Sequence, residues 1–328
     1  MRVGGRIGIL GGGAWGTALA CVLAGKGLDV LLWAREAEVV DAVNVGAGNP
    51  RFLPGVALPS GIAATTRLAD LADCDPWLVV APAQHLRAVL LAAPPGPRTL
   101  LLCAKGIEAD THLLMAEVAA QANPAATCAV LSGPTFAAEV ARALPTAITL
   151  ACADAGLGES LVELLATPAF RPYLTDDVIG AEIGGAVKNV LAIACGVVIG
   201  RGLGDNARAA LLSRGYAEML RFAVARGGRV ETLGGLSGLG DLVLTCGSPK
   251  SRNMSLGIGL GEGRSAADLL GHRDTVAEGA ATAPVLVAAA RAAGVDMPIA
   301  RAVAALLDGA GVDTTIDALL SRPLGREG

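Results

Sequence analysis

Arg6-Ile-Gly-Ile-Leu10-Gly-Gly-Gly13-Ala-Trp-Gly16-Thr-Ala-Leu-Ala20 is the stretch on which the reading of this chain turns. An apolar run comes first, an Ala/Leu-rich run follows, and Gly11-x-Gly13-x-x-Gly16 stands between them. A strand at 6–10, a glycine turn and a helix at 14–25 account for all of it. The glycines permit a tight turn, close approach of backbone to a diphosphate, and close packing of helix on strand. The helix N-terminus adds amide donors and the positive end of its dipole. The stretch also imitates a secretion signal, because Arg2 and Arg6 precede an apolar run ending near Ala18 and Ala20. Three consecutive glycines break the centre of that run, and a second strand at 29–33 follows at once. The strand, turn and helix explain the stretch better.

The alternation continues outward. Apolar runs at 77–81, 99–104, 127–131 and 146–150 read as strands separated by helices. Such continuous runs suit a parallel sheet covered on both faces. From about residue 178 long helical periods take over, at 179–199, 207–225, 281–293 and 299–307. The fold class expected is α/β: an N-terminal Rossmann-like, doubly wound, mostly parallel sheet with a C-terminal all-helical domain. The boundary falls between a dinucleotide-binding unit, residues 1–178, and a helical substrate and catalytic unit, residues 179–328. Residues 46–61 and 93–97 read as loops, and the patch Arg201 to Arg208 as a mobile polar loop.

Composition excludes several alternatives. Of 328 residues, 53% are hydrophobic and 17% charged, with a net charge of -4, the reverse of a disordered chain. The 44 glycines have no period of three, so the chain is not collagenous. The net charge gives no general attraction to nucleic acid. The longest charge-free run, 118–138, contains Gln121, Asn123, Pro124, Ser132, Gly133 and Pro134, so no transmembrane segment is expected. Seven cysteines without C-x-x-C read as buried hydrophobes in a reducing, cytoplasmic compartment. His85, His112 and His272 have no neighbouring ligand spacing, so no metal is expected.

Lysine is scarce: only Lys26, Lys105, Lys188 and Lys250 among 26 basic residues. Lys188 lies in a helix that is apolar nearly all round. A buried lysine is expensive unless paired, and burial lowers its pKa towards the range of proton transfer. The alternatives are pairing with Glu182 or snorkelling to the surface. Lys105 follows a strand, either at the edge where open α/β sheets bind ligands or in a plain surface turn. Residues 132–139, with Gly133 and Thr135, also follow a strand and offer donors, or simply cap a helix. Asp241 and Thr245, four apart, share one helical face. Arg252 can hold a phosphate bidentately, with Ser251 and Asn253 adding neutral donors, or is a surface charge. Arg35, at the end of the second strand, can accept a 2′-phosphate or be solvated. Glu36 keeps NAD(H) possible beside NADP(H).

Seven motifs, in order and spacing across nearly the whole chain, resemble the bacterial NAD(P)-dependent glycerol-3-phosphate dehydrogenase family. They begin at residues 11, 103, 132, 185, 238, 251 and 277. The resemblance implies reduction of dihydroxyacetone phosphate to sn-glycerol 3-phosphate, feeding phospholipid synthesis. It implies Lys188 as proton donor and acceptor, and Lys105 as a lysine touching cofactor and substrate. It places Gly133, Thr135, Asp241, Ser251, Arg252 and Asn253 at substrate positions and Thr245 at a polar active-site position. Ala14, Trp15, Arg35, Ala137, Arg252, Val276 and Glu278 fall at positions for NADP(H) or NAD(H). A homodimer is expected, with a small-molecule substrate, no nucleic acid and no metal. The rival readings are a hydroxyacid dehydrogenase of the hydroxyisobutyrate type and a non-catalytic NADP-binding redox sensor. The first leaves residues 132–139 and 251–253 unexplained. The second has no need for Lys105, Lys188 and Asp241 together.

Overall fold

A computed structural model describes residues 5–96, 98–271 and 277–323. The first part alternates strands and helices: β1 Ile7–Leu10, α1 Ala14–Ala24, β2 Val30–Trp33, α2 Ala37–Asn44, β3 Ile62–Thr65, β4 Trp77–Val79 and α3 Leu86–Ala92. It continues through β5 Thr99–Leu102, α4 Met115–Ala122, β6 Thr127–Ser132, α5 Ala137–Val140, β7 Thr146–Ala151, α6 Ala155–Leu165 and β8 Phe170–Thr175. The strands form one sheet in the order β3-β2-β1-β4-β5-β6-β7-β8. All neighbours are parallel except β6 and β7, so β7 and β8 run against the rest. Every residue of β1 and β5 is buried, as expected where apolar cores cover both faces.

The expected strands all form, two or fewer residues shorter or longer at the ends. Two further strands, β3 and β8, complete the sheet. Both lie at its edges, where half-burial removes the need for a continuous apolar run. β3 has alanines at its centre and β8 carries Pro172, which an edge tolerates.

The helical part comprises α7 Val178–Gly200, α8 Gly204–Ala225, α9 Val230–Gly234, α10 Asp241–Cys246, α11 Arg252–Gly261, α12 Ala266–Gly271, α13 Glu278–Ala292, α14 Pro298–Leu307 and α15 Val312–Leu320. The α7 helix is long and apolar enough to cross a membrane, yet 89% of its most apolar window is buried inside the fold. α8, α10, α11, α13 and α14 surround it. Glycine sets its closest contact: a Cβ on Gly196 would lie 2.2 Å from the Met254 oxygen, and one on Gly257 2.0 Å from the Ile193 oxygen. Part of the glycine excess is thus a helix–helix seam. The stretch Arg201 to Arg208 is not a mobile polar loop, because α8 begins at Gly204. Arg201 makes a two-pronged pair with Asp313 at 2.7 Å per bond, and Arg208 bonds Asp205 at 3.0 Å.

Candidate active site

The parallel strands β1, β4, β5 and β6 end side by side, so the loops that follow them share one edge. The glycine turn follows β1, and its geometry leaves no room for side chains at two positions. A Cβ on Gly16 would lie 1.9 Å from the Gly11 oxygen, and one on Gly12 2.4 Å from the Ala34 Cβ. Gly11 has φ +134°, which side chains rarely adopt. At Gly13 the situation is opposite: its φ is -71°, and a Cβ would meet nothing within 4 Å. The turn is therefore walled by backbone and open over Gly13, at the N-terminus of α1. That cradle fits a diphosphate. Ala14 and Trp15 open α1, and Ala137 opens α5, which packs on α1. Arg35 follows β2, with its side chain 81% exposed and 3.0 Å from Glu36. Val276 lies outside the described residues.

Beside this cradle three charged side chains converge. Lys105, past the end of β5, donates from Nζ to Asp241 Oδ2 at 2.7 Å and to the Gly133 oxygen at 3.1 Å. Lys188, on α7, donates to Asp241 Oδ1 at 2.5 Å and to Thr245 Oγ1 at 3.0 Å. Asp241 is wholly buried, and Thr245 and Lys188 nearly so. The i,i+4 spacing on α10 does bring Asp241 and Thr245 together, at 3.3 Å. The π-helical turn Leu236–Gly240 leads into them, a local irregularity frequent at functional sites. Lys188 is neither paired with Glu182 nor snorkelling, because Glu182 accepts from the Ala116 amide instead. Burial pushes the Lys188 ammonium down to about 8. Asp241 opposes the shift, and Lys105 adds to it. Burial outweighs the neighbouring lysine as the cause.

The helical half supplies the remaining candidates. Ser251 caps α11, its Oγ accepting from the Met254 amide at 3.3 Å. Arg252 opens α11 at the surface. Asn253 is spent largely on structure: its Nδ2 donates to Asn189 Oδ1 at 2.9 Å, and its Oδ1 accepts from the Gly279 amide at 3.0 Å. It thus ties α11 to α7 and to the start of α13. Glu278, the first residue of α13, accepts from the Ala83 amide at 3.4 Å just past β4. Burial raises its pKa, and Arg252, Lys105 and Lys188 oppose the rise, which sets it among the same charges. Thr135 donates to the Gly133 oxygen at 3.3 Å, and the Ser132 hydroxyl is buried without a partner among the described residues. Asn189 and Ser132 were not among the sequence-derived site residues. Asn189 carries the same signal as Lys188, a polar side chain in an apolar helix. The other two lysines lie outside the cluster: Lys26 caps the end of α6 at 2.6 and 2.8 Å, and Lys250 reaches Glu139 at 3.4 Å.

Residues 6–157 match the family model for the N-terminus of NAD-dependent glycerol-3-phosphate dehydrogenase, and residues 177–316 that for its C-terminus. The chain belongs to this family. It is 62% identical over 321 residues to the glycerol-3-phosphate dehydrogenase [NAD(P)+] of Erythrobacter litoralis, covering 98% of this chain and 97% of that one. The protein of the same name from Sphingopyxis alaskensis is 60% identical, covering 98% of each chain. The crystal structure of the Coxiella burnetii glycerol-3-phosphate dehydrogenase superposes with a TM-score of 0.92 at 38% identity, covering 97% of this chain and 99% of that one. A ketopantoate reductase from Ralstonia eutropha shares the fold alone, with a TM-score of 0.60 at 17% identity over 95% of this chain and 99% of that one. Membership of the dehydrogenase family makes the chain an NAD(P)-dependent oxidoreductase.

Proposed function

We propose that the chain catalyses the reversible reduction of dihydroxyacetone phosphate to sn-glycerol 3-phosphate, supplying phospholipid synthesis. The observation that carries this reading is the buried Lys188–Asp241–Lys105 cluster at the sheet edge beside the glycine turn. When bound, NADH or NADPH supplies the hydride. The residues that would hold it are Gly11, Gly13, Ala14, Trp15 and Gly16 at the turn, Arg35 at the ribose, and Lys105, Ala137, Arg252, Val276 and Glu278 around it.

The rest is work for this chain's own side chains. Lysine has three N–H groups, and Lys188 uses two of them on Asp241 and Thr245 among the described residues. The third is directed in this reading at the substrate carbonyl oxygen. As ammonium, Lys188 stabilises the negative charge that develops there and then gives up its proton. In the reverse direction the neutral amine takes the proton from the substrate hydroxyl. Asp241 fixes both lysines, and Lys105 keeps the site net positive. Arg252, with Ser251, Asn253, Gly133 and Thr135, holds the phosphate end, which sets the distance from anchor to carbonyl.

The two-unit division at 178, with residues 179–328 as the catalytic half, belongs to the same proposal. So do a homodimeric state and a cytoplasmic location, the latter supported by seven free cysteines. The decisive assay is oxidation of NADH and NADPH with dihydroxyacetone phosphate beside a panel of 2-keto and 3-keto acids, with reduction of NAD+ and NADP+ by the corresponding 2-hydroxy and 3-hydroxy acids in the reverse direction. Turnover with dihydroxyacetone phosphate at least tenfold above the others is expected. A preference for any acid of the panel would overturn the reading.

A further inference from the structure

Residues 45–61, between α2 and β3, form a loop with its own internal bonds. The Leu53 amide donates to the Asn49 oxygen at 2.8 Å, and the Phe52 amide to Asn49 Oδ1 at 3.1 Å. Leu53 and Val56 are buried. Asn49 itself is only 1% exposed, in a loop that is otherwise rich in glycine, proline and apolar residues, with Arg51 and Ser60 as its other polar side chains. Its Nδ2 leaves the loop altogether. It donates to the Gly12 oxygen at 2.9 Å and to Thr17 Oγ1 at 2.8 Å. One buried side chain thus fastens this loop to both the glycine turn and the first helix.

The consequence follows from peptide geometry. The carbonyl of Gly12 and the amide of Gly13 belong to one planar, trans unit, in which C=O and N–H point in opposite directions. Holding the Gly12 oxygen inward on Asn49 turns the Gly13 N–H outward. The turn is open at this residue, where a Cβ on Gly13 would meet nothing within 4 Å. Without Asn49 the glycine-rich peptide could rotate, and its buried carbonyl would lose its partner.

We propose that Asn49 is a positioning residue for the cofactor: it pins the Gly12–Gly13 peptide so that the Gly13 amide faces the diphosphate. The residue type fits the task. Two donors on one nitrogen and an acceptor on the oxygen are all used, a set that aspartate lacks and serine cannot reach. The proposal rests on the reading of the turn as the diphosphate site, and the test separates the two.

Asn49→Asp in the full-length chain keeps the Oδ1 acceptor for Phe52 and removes both donors. The expected result is an increase of about tenfold in Kd for NADH, NADPH and ADP-ribose alike, the scale of one orienting hydrogen bond. Kd for adenosine monophosphate, which lacks the diphosphate, stays within twofold, as does KM for dihydroxyacetone phosphate. Asn44→Asp is the control for a merely structural role. Asn44 makes a similar pair of bonds to Ala64, at 3.0 and 2.8 Å, away from the turn. It should lower resistance to urea and leave cofactor Kd unchanged. If Asn49→Asp does not fold, Thr17→Val removes one of the two acceptors and should raise cofactor Kd about threefold. Unchanged cofactor affinity in Asn49→Asp, or in Thr17→Val where it must stand in, overturns the proposal. Gly13→Val then decides what remains. If it abolishes cofactor binding, the turn is still the diphosphate site. If it binds like wild type, the turn reading itself is wrong.

Discussion

The glycine turn at residues 11–16 and the lysine–aspartate cluster at 105, 188 and 241 share one edge of the sheet, but they are built from opposite materials. The turn offers backbone amides, a helix N-terminus and empty space over Gly13. It owes its shape to side chains that are missing. The cluster offers two ammonium groups on one wholly buried carboxylate and owes its chemistry to side chains held out of water. The turn thus serves a bound anion at any protonation state, because peptide amides do not titrate near neutrality. The cluster can move a proton, because burial has brought Lys188 down to about 8. Substitutions in the two regions should therefore fail in different ways.

The largest effect belongs to the cluster. Lys188→Met should lower kcat by about 10³-fold, within the range assigned to a general acid. Cofactor Kd should stay within twofold of wild type by fluorescence titration. Near-wild-type turnover would break the division of labour. Next comes Gly13→Val at the turn. A Cβ there meets nothing within 4 Å, so the melting temperature should hold. Cofactor Kd should rise about 100-fold, the cost of overfilling a site the ligand must share. A loss of melting temperature with intact cofactor affinity would show that the open space over Gly13 is not the ligand's. Arg252→Ala should lower kcat/KM for dihydroxyacetone phosphate about 10- to 100-fold, the scale of charged hydrogen bonds. Unphosphorylated dihydroxyacetone should change less than threefold. Equal losses for both would remove Arg252 from the phosphate.

The same contrast explains how much the sequence revealed. The turn was legible because its determinants are contiguous: a strand, three spaced glycines and a helix within about fifteen residues. The buried strands were legible for a similar reason, while β3 and β8 escaped because edge strands need no apolar run. In the cluster, the presence of Lys188 in an apolar helix marked it as abnormal, but its partner could not be read locally. Glu182, six residues away, was the nearby acid, and the structure spends it on α4. Asp241, 53 positions on, is the true partner, brought in by α10 packing on α7. Asn253 shows the same limit. Its place in Ser251-Arg252-Asn253 suggested a phosphate donor, but its second task, joining three helices through its oxygen and one N–H, could not be read locally. Asn49 gave no sign of itself, since a lone asparagine among glycines is an ordinary loop residue until the turn it fastens is in view.

The smallest expected effect sharpens the comparison most, because it needs no substitution. The folded-state pKa of Lys188, about 8, lies below the ordinary lysine value of 10.5. The folded protein therefore releases this proton before the unfolded chain does. Below about pH 8 both states carry it, and folding bears the full cost of burying the ammonium. That cost fades as pH rises from about 8 towards 10.5. Stability thus has a contribution from Lys188 that increases with pH in this window, and Lys188→Met should abolish it in urea titrations. Catalysis moves the other way for reduction, which needs the ammonium. Its kcat should fall twofold at about pH 8 and then about tenfold per further unit. The reverse oxidation, which needs the neutral amine, should gain over the same range. Cofactor affinity at the turn should stay flat through pH 8, since no group there titrates with Lys188. A cofactor Kd that follows the same curve as kcat would mean that the two regions share a charge, with Lys105 and Glu278 as the side chains placed to carry it.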